Sequence, residues 1–348
     1  MFGLLIRDKP FQTFAVKELH PTFGAEITGV DFENTSDEQL EEIRAAMAKY
    51  AVCVFRATGL TDARHVAFAA KLGAPLDNTR RYMTAGRKPR YAFPELFDAG
   101  NLDDNDAVYP PTAFNPRRAG LSILRAAGTG SSTVLSWPRE AGGNTEFADS
   151  RAAWDDLPQA MQDELLARDY TGVHCIAHSR KLGSPDFFRE LDPRATPMAR
   201  HKIVQRHEQS GRMNLYVGAH CHHLEDAEGR MVEAGESWEL IQRLNAHIGQ
   251  DKYVFGVVWE QVGDVIAWDN RAVLHRAGKW TGDGKYRRDL RRTTAHDEGP
   301  TAWGVNPVGE AQPSWLAWTG KDGGVPGEEG RRSEVQQQQQ QQPAAVTV

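Results

Sequence analysis

Apolar and polar positions along the chain change period several times, and each change predicts an element. Residues 14–19 and 25–31 alternate as short strands about a glycine turn, a spacing that puts every second side chain on one face. The period then lengthens. Leu40, Ile43, Met47 and Tyr50 recur at helical spacing behind Ser36 and Gln39, which form a capping-box pair. The continuous apolar run 51–55 predicts a buried strand, and Thr61 opens a second helix that Gly73 closes. Residues 74–145 read as loop-rich, with Pro110 and Pro111 adjacent. A helical stretch covers about 150–168. The second half is strand-rich, at 170–175, 202–205, 213–217, 253–259, 265–268 and 286–294, with one clear helix at 237–248. Strands without a βαβ rhythm predict an α+β fold with an antiparallel barrel or sandwich at its core. No G-x-G-x-x-G or P-loop pattern is present, which removes the common nucleotide folds.

Composition narrows the class. The chain has 348 residues, of which 40% are hydrophobic and 25% charged, ordinary values for one large enzyme domain. Forty-one basic residues against 47 acidic ones give a net charge of −6, which argues against nucleic acid or an anionic membrane as partner. No apolar run approaches the length of a membrane span, and the N-terminal stretch lacks the basic region and cleavage site of a signal peptide. Cys53, Cys175 and Cys221 are too few and too scattered for a disulfide framework, so a reducing, cytoplasmic setting is expected. A single domain is expected over residues 1–318. Residues 319–348, rich in glycine and ending in a glutamine run and PAAVTV, lack any apolar period and read as a disordered tail.

Twelve histidines raise the question of a metal. The densest group is His220, His222 and His223. On a regular strand His220 and His222 share a face while His223 points away, so three ligands on one centre would need a bend there. A polar loop at a strand end is the plainer reading. His275 follows the apolar strand and turn of DVIAWDNRAVLH, just beyond a buried β-element. Arg288 and Arg292 are four apart, so on a strand they share a face and could hold a dicarboxylate by forked hydrogen bonds. A solvated basic edge strand is the competing reading.

The segments GGNTEFADSRAAWDDLP, HEQSGRMNLYVGAHCHH, GDVIAWDNRAVLHRA and RRDLRRTT, with LHPTFGAEITGVDF and FNPRRAGLSILRA before them, resemble the TauD/TfdA family, particularly its fungal members. These are Fe(II)- and 2-oxoglutarate-dependent dioxygenases of small organic molecules, and the resemblance runs in order over about residues 12–298. It implies a double-stranded β-helix (jelly-roll) core with flanking helices, Fe(II), 2-oxoglutarate as co-substrate and a small-molecule substrate; relatives are often homo-oligomers. Residue by residue, it makes His275 the distal histidine of a 2-His-1-carboxylate metal site. Arg288 and Thr145 become the partners of the far carboxylate of 2-oxoglutarate, and Arg292 a second arginine near the chelating end. The chain departs from the family at the H-x-D motif that supplies the other two ligands, whose positions carry Tyr109 and Pro111. His223–Glu225 and His296–Glu298 fit the letters but sit elsewhere in the family pattern. Three readings follow from this departure: an oxygenase with an unexpected ligand, a pseudoenzyme that keeps a carboxylate pocket, or a transcript mis-spliced near residues 126–141.

Overall fold

The computed structural model describes residues 10–79, 90–99, 117–128, 133–186, 188–282 and 284–309. The first part of the chain runs β1 (Ala15–Glu18), β2 (Ala25–Thr28), α1 (Asp37–Tyr50), β3 (Val52–Phe55), α2 (Asp62–Leu72), β4 (Phe97–Asp98), β5 (Ala119–Ala126) and β6 (Thr145–Asp149). Then follow α3 (Ser150–Asp155), α4 (Gln159–Arg168), β7 (Thr171–His174), α5 (Ile176–Gly183), β8 (Ala199–Lys202), β9 (Val204–Arg206), β10 (Met213–Leu215) and β11 (Cys221–Glu225). The last part is α6 (Ala234–Ile248), β12 (Val254–Val257), β13 (Val265–Asp269), β14 (Val273–Ala277) and β15 (Leu290–His296).

A seven-stranded sheet in the order β1-β2-β3-β13-β5-β15-β4 is the main layer. A three-stranded sheet, β12-β6-β14, shares a core with its inner face, and a second, β11-β7-β8, lies beyond with the β10-β9 ladder. Alternation explains how the main sheet is covered on both sides. Cys53, Phe55, Ile123, Val265 and Ala267 turn outward to Leu40, Ile43 and Met47 of α1 and Phe68 of α2. Val52, Val54, Leu124, Ile266 and Trp268 turn inward to Phe147, Val257 and Val273. A strand buried on both faces reads as an unbroken apolar run, as residues 51–55 do.

Local signals set the helix ends. The Ser36 hydroxyl accepts from the Gln39 amide at 3.1 Å and the Thr61 hydroxyl from the Arg64 amide at 3.3 Å, so both expected N-caps are formed. The single helix expected over 150–168 is two helices, because Pro158 disfavours helical backbone at Leu157 and starts α4 anew. Helix α6 begins at Ala234, three residues earlier than expected, where the Glu233 carboxylate accepts from the Glu236 amide. Two strands inside the stretch read as loop, β4 and β5, belong to the main sheet. Helix α5 gave no signal, since its eight residues make barely two turns, too few for a period to be read. Among the described residues no helix is long and apolar enough to cross a membrane. Tyr109, Pro111 and the tail 319–348 lie outside the described residues.

His65 of α2 is buried against the main sheet, with Nε2 3.2 Å from the Ile123 carbonyl and 3.1 Å from the Thr293 hydroxyl. Burial, and then Arg125, pushes its imidazole down to about 3. The unfolded chain takes up this proton near pH 6.5 and the native chain only near 3, so stability is lost as pH falls through that window, by up to about 1.4 kcal/mol per pH unit. Urea unfolding of His65→Leu is expected to show a shallower loss between pH 6 and 4 than the unaltered chain. Parallel profiles would overturn this assignment.

Candidate functional site

Strands β6 and β14 pair so that Thr145 lies opposite Ala277 and Phe147 opposite His275. Directly opposed residues share a face, as do residues two apart, so Thr145, Phe147 and His275 look the same way. Phe147 belongs to the inner core, which identifies that side as the one facing the main sheet. The His275 ring lies 4.9 Å from Trp268 and 6.4 Å from Phe147, centre to centre.

The main sheet contributes Arg292 from across the gap. Its register partner Leu124 and its neighbour Leu290 both point into the inner core, so Arg292 points there too. Arg291, between them, turns outward and bonds Asp62 of α2 at 2.6 Å. The Arg292 guanidinium stacks 4.8 Å from the Phe97 ring centre. His275 is exposed although its side chain is on the face of β14 that looks toward the main sheet, so the gap between the two sheets is open to solvent there. Burial, then Arg292 and His220, pushes its imidazole down to about 3. His220, just before β11, is itself pushed down to about 4, by burial first and then by Arg180.

Arg288 reaches the site differently from the sequence expectation. The strand begins only at Leu290, so the shared-face reading holds for Arg292 and not for Arg288. Arg288 instead donates from Nη2 to the Gly143 carbonyl at 2.7 Å, and its guanidinium lies 5.9 Å from the Trp280 ring centre. Gly143 has φ +76°, and a Cβ there would fall 2.9 Å from Trp280 and 3.0 Å from Arg288 Nε, so both backbone and space require glycine. Burial alone lowers Arg288 to about 10, which leaves it cationic at neutral pH. Thr145, two residues beyond Gly143, is buried on the same strand as Phe147. The site thus combines two arginines, a buried hydroxyl and a neutral imidazole, chemistry that suits a small dianion.

His275 lies beyond the buried strand β13 and its turn, as expected, and the structure adds that it sits within a further strand, β14. His220 emerges as a neighbour of His275 that no local spacing could reveal, because 55 positions separate them in the chain. The two alternative H-x-E segments are engaged elsewhere. Glu225 takes Arg200 at 3.0 Å, His296 faces Asp77 at 3.3 Å, and Asp297 accepts from Arg118 and Arg271, both at 3.0 Å.

A metal needs more donors than these. Among the described residues no three His, Cys, Asp or Glu are gathered so as to hold a metal ion. Around His275 stand two aromatic rings, an arginine and a second imidazole, a donor set without a carboxylate. The described residues therefore do not fit an Fe(II) held by two histidines and a carboxylate.

A family model described as taurine catabolism dioxygenase TauD, TfdA family, matches residues 15–294. The alpha-ketoglutarate-dependent 2,4-dichlorophenoxyacetate dioxygenase of Cupriavidus pinatubonensis is 32% identical over 302 residues, 80% of this chain and 96% of that protein. An alpha-ketoglutarate-dependent sulfate ester dioxygenase of Pseudomonas putida is 28% identical, covering 81% of this chain and 90% of its own length. Among solved structures, AAD-2 in complex with Mn(II) and N-oxalylglycine superposes with a TM-score of 0.63 at 29% identity, covering 83% of this chain and all of that one.

Proposed function

The chain belongs to the TauD/TfdA dioxygenase family, and from that premise we propose that it acts on a small organic molecule in a 2-oxoglutarate-dependent oxidation. The facing sheets are read as the double-stranded β-helix of that family, with the recess at His275 as its mouth. One observation carries the reading: Arg292 on the main sheet faces the wall formed by β6 and β14, where Thr145 and His275 share a side and Arg288 is held at Gly143 just before β6. Arg288 and the Thr145 hydroxyl hold the far carboxylate of 2-oxoglutarate, and Arg292 and His275 stand toward its keto-acid end. The named substrates of the relatives, an aryloxyacetate and a sulfate ester, suggest a small anion for the second substrate. Turnover needs iron ligands beyond His275 that the described residues do not gather.

A second reading is favoured by the sequence at the missing ligands. Tyr109 and Pro111 offer no imidazole and no carboxylate, so a protein that binds 2-oxoglutarate without oxidising anything is the alternative. Calorimetric titration with 2-oxoglutarate, with and without Fe(II), alongside succinate release over a panel of small organic acids, separates the two. Binding with succinate release is the expected result for a dioxygenase. Binding with succinate at background establishes the second reading, and absence of binding overturns both.

A further inference from the structure

Strand β4 is two residues long and pairs with β15, with Phe97 opposite Arg292 and Asp98 opposite Arg291. Opposed residues share a face, so the two pairs look to opposite sides of the main sheet. Phe97 and Arg292 take the inner side. Ala99, two positions beyond Phe97, packs against the inner core and agrees with that placement.

The outer side holds so short a strand in place. Arg90 donates to Asp98 at 2.8 Å and stands 3.7 Å from Asp289. The Tyr91 hydroxyl donates to Asp289 at 3.1 Å, and Arg291 donates to the same carboxylate at 2.7 Å. The Arg291 guanidinium also lies 4.4 Å from the Tyr91 ring centre. Tyr91 and Asp289 are buried, so these charge-assisted bonds are stronger than those of an exposed ion pair. The Ala99 amide adds a bond to the Leu290 carbonyl at 2.9 Å.

On the inner side the half-buried Phe97 ring receives the Arg292 guanidinium, 4.8 Å from its centre. The negative face of the ring attracts the cation. All the N–H groups of a guanidinium lie in its plane, so a ring against its face leaves the fork at its edge for a carboxylate. A long side chain ordered in advance loses less freedom when a ligand arrives. On the reading of this recess as a 2-oxoglutarate site, we propose that Phe97 is a positioning residue. It holds the Arg292 guanidinium ready for the ligand, and the ion cluster on the outer side of β4 holds Phe97.

Calorimetric titration of the full chain with 2-oxoglutarate tests this on the unaltered chain, Phe97→Leu, Phe97→Tyr, Arg292→Gln, and Arg292→Gln with Phe97→Leu. Leucine keeps apolar bulk without the ring face, and tyrosine keeps the face. Phe97→Leu is expected to bind about 3-fold to 30-fold more weakly, the worth of one cation–ring contact, and Phe97→Tyr to bind as the unaltered chain does. Once Arg292 is glutamine, Phe97→Leu is expected to cause no further loss, because the ring acts through that arginine. In the ligand-free chain, the Arg292 side-chain N–H resonances should shift in Phe97→Leu as the ring current is lost. Equal losses in both arginine backgrounds, equal losses in Phe97→Leu and Phe97→Tyr, or collapse of the fold in Phe97→Leu would make Phe97 a structural residue and overturn the proposal. Absence of binding by the unaltered chain overturns the 2-oxoglutarate reading and this inference with it, whereas binding that Phe97→Leu leaves unchanged overturns this inference alone.

Discussion

An Arg288→Gln variant is expected to bind 2-oxoglutarate between about 30-fold and 1,000-fold more weakly than the unaltered chain, the equivalent of about 2–4 kcal/mol for losing one partner of a buried charge pair. Arg288 is poorly solvated, since burial lowers it to about 10 while leaving it cationic, and one of its nitrogens is already committed to the Gly143 carbonyl. That contact holds the guanidinium in place, so a carboxylate that reaches it does not first have to order the side chain. Glutamine keeps the reach and a hydrogen bond but neither the charge nor the fork. Arg288→Lys, which restores charge without the fork, is expected to recover only part of the affinity. Calorimetry checks both, and an unchanged dissociation constant in Arg288→Gln would remove this residue from the site. The Gly143 contact predicts a small accompanying drop in melting temperature, which distinguishes lost binding from lost fold.

Asp269→Ala is expected to cost about 3–5 kcal/mol of stability, the largest effect of any single substitution considered for this fold. Asp269 is buried at the end of β13, in the turn that leads into the strand of His275. One carboxylate oxygen accepts from Arg271 Nη2 at 2.7 Å and faces His207 Nε2 at 3.0 Å; the other accepts from Arg271 Nε at 2.7 Å and from its backbone amide at 2.9 Å. His207 Nδ1 in turn meets the Ser210 hydroxyl at 2.6 Å. Burial by itself would raise the carboxyl, but Arg271 and His207 outweigh it and hold it well below the usual carboxylate range. Its folded-state pKa is depressed, so the stability it contributes is present above the unfolded value near 4 and is lost as pH falls below it. Removing the carboxylate leaves Arg271 with Asp297 alone and takes the partner from His207 Nε2. Urea unfolding at pH 7 should show a lowered midpoint with an unchanged slope, and a change within about 0.5 kcal/mol would show that the network is dispensable.

Much of this architecture was legible along the chain because it rests on local chemistry. The caps at Ser36 and Thr61, the two-faced strand at 51–55 and the helices behind them follow from side chains a few positions apart. Motif order also carried the family, since GGNT, the His275 segment and RRDLRRTT keep their sequence wherever the fold puts them. Helix α5 was illegible for a physical reason: eight residues make barely two turns, too short a window for a helical period to stand out, and only Ala177 of them is buried.

By itself, then, the sequence determined the element types wherever period or capping is local, the acidic balance, and the identities of Thr145, His275, Arg288 and Arg292 as the residues to watch. Tertiary structure alone decided how they meet. Arg292 enters the recess because strand register places it beside Leu124, whereas Arg288 enters through a glycine carbonyl before the strand starts. His220 comes beside His275, and one bulged residue in β11 turns His222 toward His223. Pairing register and bulges arise from contacts between segments far apart in the chain, and no pattern within either segment contains them.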